Sequence, residues 1–345
     1  MHELTNLELR FIVGELQGLA GSRLDNIYGA GERRFRLRFR MQNSATAELV
    51  IDLQNKLLYL TRRVEKAPPH PDDFVMGLRS KLENAKVNLL VQHGFDRVAV
   101  LELGTEEKLL LIVELFSNGN LVLCDSAYKI LRCLTNEQWK DRYVRPGEKY
   151  VFPHARSVDP RELDEGTLSK LMNEKHIIAT LARAVPIGTI YLEEALAQSD
   201  IEPTEMGRAV DGKRLRKLAG IISGICNAPS MRTYELENGR REFALCELSN
   251  HAQARVTLFS TLSDAIDEAV STSAAPVQKQ DRALEIEKER LGHMLREQET
   301  ALERYEREAG EAKEKGDALY ANYEKAEAAL EEGKKEKKQK VELEL

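Results

Sequence analysis

The sequence lacks most of the signatures that would mark an enzyme or an exported protein. It has no GxxxxGK[ST] phosphate loop, no HExxH, no GxSxG and no Rossmann glycine fingerprint. Nothing therefore points to nucleotide hydrolysis, zinc peptidase, serine hydrolase or dinucleotide chemistry. The seven histidines are scattered. Carboxylates are many, yet none sits in a pocket signature, so no catalytic residue and no metal ligand is assigned. Cys124, Cys133, Cys226 and Cys246 make no CxxC pair, which leaves out the usual zinc and redox spacings and fits a reducing cytosol. The opening Met1-His-Glu-Leu-Thr5 carries no basic stretch followed by an apolar one, so no signal peptide is read there. No run of about eighteen apolar residues exists to span a membrane. The expectations are a cytoplasmic protein, no cofactor and no membrane.

Bulk positive charge is missing too. The net charge is −6 over 345 residues, which argues against coating nucleic acid by charge alone, so any RNA contact must be local. Basic and acidic residues balance up to about residue 160; the acidic surplus lies beyond. The length suggests two or more domains.

What is present reads as α+β. Thr5 with Glu8 has the form of a capping box, and Leu9, Ile12, Val13, Leu16 and Leu19 follow on one helical face, with Gly21 as the stop. Arg33 to Arg40 then alternates strictly. Phe35, Leu37 and Phe39 fall on one face and Arg36, Arg38 and Arg40 on the other, with guanidinium groups roughly 7 Å apart. That spacing suits contact with a nucleic-acid backbone; a solvated outer strand face explains it equally well. Asp72 or Asp73 caps a second helix with Phe74, Leu78 and Leu82 inward and Arg79 and Lys81 outward. Val87, Leu89 and Val91 share one strand parity, and Val98, Val100 and Glu102 another. Between them Gly94 bends the chain and sets Asp96 and Arg97 side by side at a strand mouth. The carboxylate there could hold the guanidinium fork for phosphate, or the two could be an ordinary surface ion pair. Leu109 to Glu114 leads into a hairpin-like turn at Asn118-Gly-Asn120.

Further on, residues 167–226 read as helices. Leu181 to Gly188 with Tyr191 to Ala195 resembles a helix-hairpin-helix, although Pro186 removes one N–H donor; an ordinary helical hairpin fits as well. Short strands return over 230–258, and Thr272 to Pro276 reads as a linker. From Asp281 a heptad seam runs from Leu284 to Leu330 with only Lys288, Gln298 and Gly316 not apolar. It predicts a coiled-coil arm of roughly 75 Å that needs a partner helix or a second copy of the chain. A basic tail and Val341-Glu-Leu-Glu-Leu345 follow, where a new strand is expected to begin.

Several stretches together resemble the NFACT family. They are Thr5-Asn-Leu-Glu-Leu9, Leu60-Thr-Arg62, Pro71-Asp-Asp-Phe74 with Leu78-Arg-Ser-Lys-Leu82, Gly94-Phe-Asp-Arg-Val98, Glu114-Leu115 with Asn118 to Leu121, Ile190-Tyr-Leu-Glu-Glu194, and Lys315 to Tyr323. The resemblance implies an NFACT-N domain over 1–166, similar to the N-terminal domain of formamidopyrimidine-DNA glycosylases, and a helix-hairpin-helix domain over 167–227. A short-strand segment and linker over 228–275 could pack on the first domain. A coiled-coil helix covers 276–333 and a basic tail 334–345. The return half of the arm and the family's NFACT-R domain are not read in this sequence, which is expected to stop short of them. The implied function is ribosome-associated quality control: binding the obstructed large ribosomal subunit beside a peptidyl-tRNA, recruiting aminoacyl-tRNA, and supporting untemplated C-terminal tailing. In that picture Asp96 and Arg97 match the family's Asp-Arg pair for tRNA engagement, and Glu114 matches a second contact residue. Arg36, Arg38, Arg40, Arg62, Arg79, Lys81 and Asn118 complete the candidate RNA-binding set. Competing readings are a coiled-coil scaffold, an adhesin, and a glycosylase-like enzyme; the last lacks its N-terminal proline nucleophile, since His2 follows Met1.

Overall fold

The computed structural model describes residues 2–273 except 32, 64–70, 106, 140–141 and 154–158, and, toward the C-terminus, 298, 302, 305, 307–310, 313–318 and 320–335. The chain divides into two compact units, Met1–Ser273 and Ala274–Leu345.

The first unit opens with α1 (Asn6–Leu16), capped as its sequence predicts. The Glu8 N–H donates to Thr5 Oγ1 at 3.2 Å and the Thr5 N–H donates to Glu8 Oε2 at 2.7 Å. Two antiparallel sheets follow. Sheet one runs in order through β1 (Arg23–Gly29), β2 (Arg34–Arg40), β3 (Thr46–Asp52) and β4 (Leu57–Thr61). After α2 (Asp73–Leu82), sheet two runs in order through β5 (Val87–Gln92), β6 (Val98–Leu103), β7 (Leu109–Glu114), β8 (Asn120–Asp125) and β9 (Ile130–Cys133). Sequence neighbours pair throughout, because short turns suffice between antiparallel strands. Phe35, Leu37 and Phe39 of β2 are fully buried in one cluster with α1 and with Ala99, Leu101, Leu111 and Val113 of sheet two. Burying each of these large side chains contributes roughly 1.5–3 kcal/mol. The opposite parity of sheet two, with Val98, Val100, Leu110, Ile112 and Val122, makes a second cluster under Val144 and Tyr150. Strand β7 is buried on both faces, which is why it is a continuous apolar run.

One parity expectation fails. The β5–β6 register shifts between Val87 and Leu89. Leu90 is buried, whereas Leu89 and Val91 are exposed. The extra residue of a bulge reverses the faces of everything after it.

The ribbon β10 (Glu137–Gln138) and β11 (Tyr143–Val144) precedes four helices: α3 (Glu165–Leu171), α4 (Ile177–Ala184), α5 (Thr189–Gln198) and α6 (Gly212–Asn227). The main core runs on into them through Leu181, Tyr191, Leu192, Leu218 and Ile222. The divisions expected at residues 166 and 227 therefore lie inside one packed unit. A three-stranded sheet, with β12 (Arg232–Glu235) between β13 (Arg241–Ala244) and β14 (Arg255–Leu258), and helix α7 (Leu262–Ser273) complete it. Helix α7 is absent from the sequence reading, and its last residues replace the start of the expected linker. Its signal was present: Thr261 with Asp264, then Ala265, Ile266, Ala269 and Val270 on one face. Glu15 of α1 reinforces its start by accepting the N–H groups of Leu262 and Ser263 at 2.5 and 3.0 Å.

In the second unit the described residues are helical, with α8 over Tyr323–Lys335. Of the heptad seam, Leu302, Tyr305, Tyr323 and Leu330 are exposed and Ala326 is buried. Leu284, Lys288, Leu291, Leu295, Ala312 and Leu319 lie outside the described residues, and so does most of the expected arm.

Candidate nucleic-acid interface

The β5–β6 turn is closed by the His93 N–H on Val98 O at 2.9 Å, and Gly94 takes φ +56 within it. Its carbonyls are tied to the start of α1. Asn6 Nδ2 donates to Phe95 O at 2.7 Å, and Gln92 Nε2 donates to both Asn6 O and Asp96 O at 2.8 Å. Asp96 and Arg97 are neighbours there, but the carboxylate does not hold the guanidinium. Asp96 Oδ1 accepts the backbone N–H of Arg97 at 2.7 Å, the short reach natural to an Asp at a turn. The guanidinium reaches instead to Glu3 at 2.7 Å, with Arg97 about one quarter and Glu3 about half exposed.

Glu114 ends β7 opposite Val98, and the next residue, Leu115, donates its N–H to Arg97 O at 2.9 Å. The expected role of Glu114 as a direct contact does not survive its burial: its side chain is 1% exposed. Its parity is that of Ile112, so it points into the second cluster. There Arg142 Nη1 donates to Oε1 at 2.6 Å, Nη2 to Oε2 at 3.4 Å, and the Tyr150 hydroxyl to Oε1 at 2.6 Å. Burial and then the Glu114 charge push the Tyr150 phenol far above its ordinary range. Around this pair lie Phe116 and Trp139, and His93 stacks on Phe152 at 3.6 Å. Burial lowers the His93 pKa against the pull of Asp96.

The basic strand β2 alternates as expected, yet its outer face is open to solvent only toward its end. Arg36 is buried, 3.0 Å from Glu48, with Tyr28 of β1 over it. Buried under the Tyr28 ring, it cannot contact RNA. Arg38 is partly exposed and shares Glu48 at 2.9 Å; Arg40 is exposed and paired with Asp25 at 2.9 Å. Arg79 is not outward: its Nε donates to Ile27 O at 2.7 Å and its guanidinium joins those of Arg36 and Arg38 around Tyr28. Lys81 is exposed on α2. Arg62 is mostly exposed and paired with Asp264 of α7. Asn118 is exposed at the β7–β8 turn, its carbonyl accepting from Arg33 at 3.0 Å.

The fold thus brings Asp96, Arg97, Glu114 and Asn118 to one end of sheet two and leaves the other candidates elsewhere. Sequence reading missed Arg142, Trp139 and Tyr150. The signal available was basic and aromatic residues interleaved from Trp139 to Tyr150. In the helical hairpin, Gly188 serves packing: a Cβ there would lie 2.3 Å from Thr5 Cγ2. Among the described residues no group of His, Cys, Asp or Glu is placed to hold a metal ion, and no helix is long and apolar enough to cross a membrane.

This α+β arrangement of antiparallel sheets and helices is that of the fibrinogen binding protein from Staphylococcus aureus: TM-score 0.66, 19% identity, 76% of this chain and 97% of that one. The N-terminal part of the fibronectin/fibrinogen-binding protein from Streptococcus suis is similar at TM-score 0.62, 20% identity, 77% of this chain and 98% of that one. The likeness defines the fold. The chain belongs to the NFACT family: the family's NFACT N-terminal and middle domains match residues 5–344. It is 28% identical to the archaeal Rqc2 homolog aRqcH of Methanocaldococcus jannaschii over 95% of this chain and 51% of that protein. It is 25% identical to the human ribosome quality control complex subunit NEMF over 94% of this chain and 33% of that protein. To the Rqc2 homolog RqcH of Bacillus subtilis it is 24% identical, over 77% of this chain and 49% of that protein. The chain thus spans from a third to about half of these relatives' length, and those relatives carry ribosome quality control names.

Proposed function

We propose that this chain is the RNA-engaging part of a ribosome-associated quality control factor. In this reading it binds the obstructed large ribosomal subunit beside a peptidyl-tRNA, recruits aminoacyl-tRNA, and supports untemplated C-terminal tailing of the stalled chain. It acts as a binding factor in the cytoplasm, without catalytic residues of its own. The observation that carries the reading is the state of Arg97. Its guanidinium stands at a sheet end against Glu3, a half-exposed carboxylate. A pair of that kind is worth about 0–1 kcal/mol, whereas a hydrogen bond to a charged group is worth about 1.5–3 kcal/mol. A tRNA phosphate can take the place of Glu3. The Asp96 cap fixes the backbone from which Arg97 reaches out.

Arg97→Ala tests this. It should leave the melting temperature within a few degrees while tRNA binding falls roughly ten-fold or more. Binding to the large subunit should fall less, because other surfaces share that contact. A variant that unfolds, or one that binds tRNA as the wild type does, rejects the assignment.

A further inference from the structure

The chain contains a single tryptophan, Trp139, and it is not in the core: the residue is 41% exposed. It begins the turn of the β10–β11 ribbon, where its N–H donates to Arg142 O at 2.8 Å. The indole N–H donates to Glu137 Oε2 at 2.9 Å, which sets the ring's orientation. The Arg142 guanidinium lies 5.7 Å from the ring centroid, and the same cation lies 5.4 Å from Phe116 and 5.9 Å from Tyr150. Arg142 is itself fixed by buried Glu114. A large ring held in one orientation against a cation, yet left in solvent, gives up the stabilisation that its burial would bring.

We propose that Trp139 is a stacking platform for an unpaired base of tRNA. This rests on the reading that the Asp96–Arg97 end of sheet two engages tRNA, and it extends that surface to the other face of the same sheet end. Glu114, which holds Arg142, pairs in the ladder with Val98, the residue after Arg97. Arg97 shares the parity of Ala99, which faces the main core, while Glu114 shares that of Ile112 in the second cluster. The two groups therefore flank one edge. Arg97 offers a guanidinium to phosphate, and Trp139 offers a ring to a base. Single-stranded RNA is recognised by that combination of phosphate contacts with aromatic stacking. Glu114 becomes a positioning residue, acting on RNA through Arg142 and the ring above it. Two rings of the ribbon are exposed, each beside a cation: Trp139 by Arg142, and Tyr143, 47% exposed, by Arg145 at 5.5 Å. They suit a nucleic acid better than an apolar protein knob.

With no second tryptophan, fluorescence excited on the long-wavelength side of tyrosine absorption reads this ring alone. The full chain is titrated with unfractionated tRNA while filter retention measures binding in parallel. Emission should be quenched in step with retention. Trp139→Ala should weaken binding roughly five- to a hundred-fold, and Trp139→Phe should restore most of it. A blunt, fully paired RNA duplex should quench far less at equal retention. If tRNA is retained with no change in emission, and Trp139→Ala binds as the wild type does, the platform is refuted and the tRNA reading stands. Quenching by the duplex equal to that by tRNA refutes the unpaired base. If the wild-type chain retains no tRNA, the functional reading fails and the platform fails with it.

Discussion

A carboxylate buried to the degree of Glu114 is stable only because Arg142 and the Tyr150 hydroxyl satisfy it. Removing it leaves Arg142 buried without its counter-charge. Glu114→Ala should therefore cost about 3–5 kcal/mol and lower the melting temperature by on the order of ten degrees, measured by calorimetry. A loss of only a degree or two would show that Arg142 escapes to solvent. His2 poses a second question of charge. Its Nε2 lies 2.8 Å from Glu8, and its ring packs on Phe243 with centroids 4.4 Å apart. Burial by itself would lower its pKa, but the charge and hydrogen bond of Glu8, with Glu242 beyond, outweigh burial and raise it. A folded value above that of the unfolded chain means that protonation favours the fold. The contribution is complete below about pH 6.5 and is lost as the pH rises through the folded value. The stability gap between wild type and His2→Gln, read from denaturant melts, should shrink as the pH rises above about 6.5. A gap that widened would contradict the His2–Glu8 coupling.

Among the elements, the helical hairpin shows how a local pattern acquires its use from a distant neighbour. The turn between α4 and α5 places Gly188 at φ +109, with Thr5 of α1 against it. Gly188→Ala should destabilise the fold by about 1–3 kcal/mol, since the conformation and the space both exclude a Cβ. Thermal melts check this, and an unchanged melting temperature would mean that the turn moves freely away from α1. Elements with strong local signals were legible from the chain alone: α1 from its capping box, β2 from its alternation, α2 from a cap at Asp72 or Asp73, of which the structure uses Asp72. Helix α7 carries comparable signals, but the long charged segment that follows it dominates that stretch of the sequence. The bulge in β5 could not be read, because an extra residue leaves the composition of a strand unchanged and is fixed by the pairing of β6. The site was legible in part. The Asp96-Arg97 step and Glu114 stood out as residues, but not the exchange of partners that ties Arg97 to Glu3 and Glu114 to Arg142.

At the scale of the whole molecule, the main core of the first unit runs from Leu4 to Ala269. Sheets, hairpin helices and α7 should therefore unfold together rather than as separate domains. The C-terminal unit is of another kind. Leu302, Tyr323 and Leu330 of its seam are exposed at 58%, 60% and 56%, and an apolar seam at heptad spacing is stable when it meets another helix. The chain is expected to self-associate. Sedimentation velocity should give a weight that rises with concentration, and Leu302→Glu with Leu330→Glu should abolish the rise. A strict monomer whose arm is nonetheless strongly protected from hydrogen exchange would count against the idea.

The sequence by itself determined the α+β class, the order of most strands and helices, the family, and the few residues worth watching. All of these depend on periodicity, caps and short motifs, which act over one or two turns of chain. Only the tertiary structure decided which charges are available. Arg36 and Glu114 look no more buried in the sequence than Arg40 and Glu3. Their fates depend on what the fold lays over them: Tyr28 of β1 over Arg36, and Arg142 and Tyr150 against Glu114. A charge brought under such cover must take a partner, and that partner is set by the fold and not by the neighbouring residue.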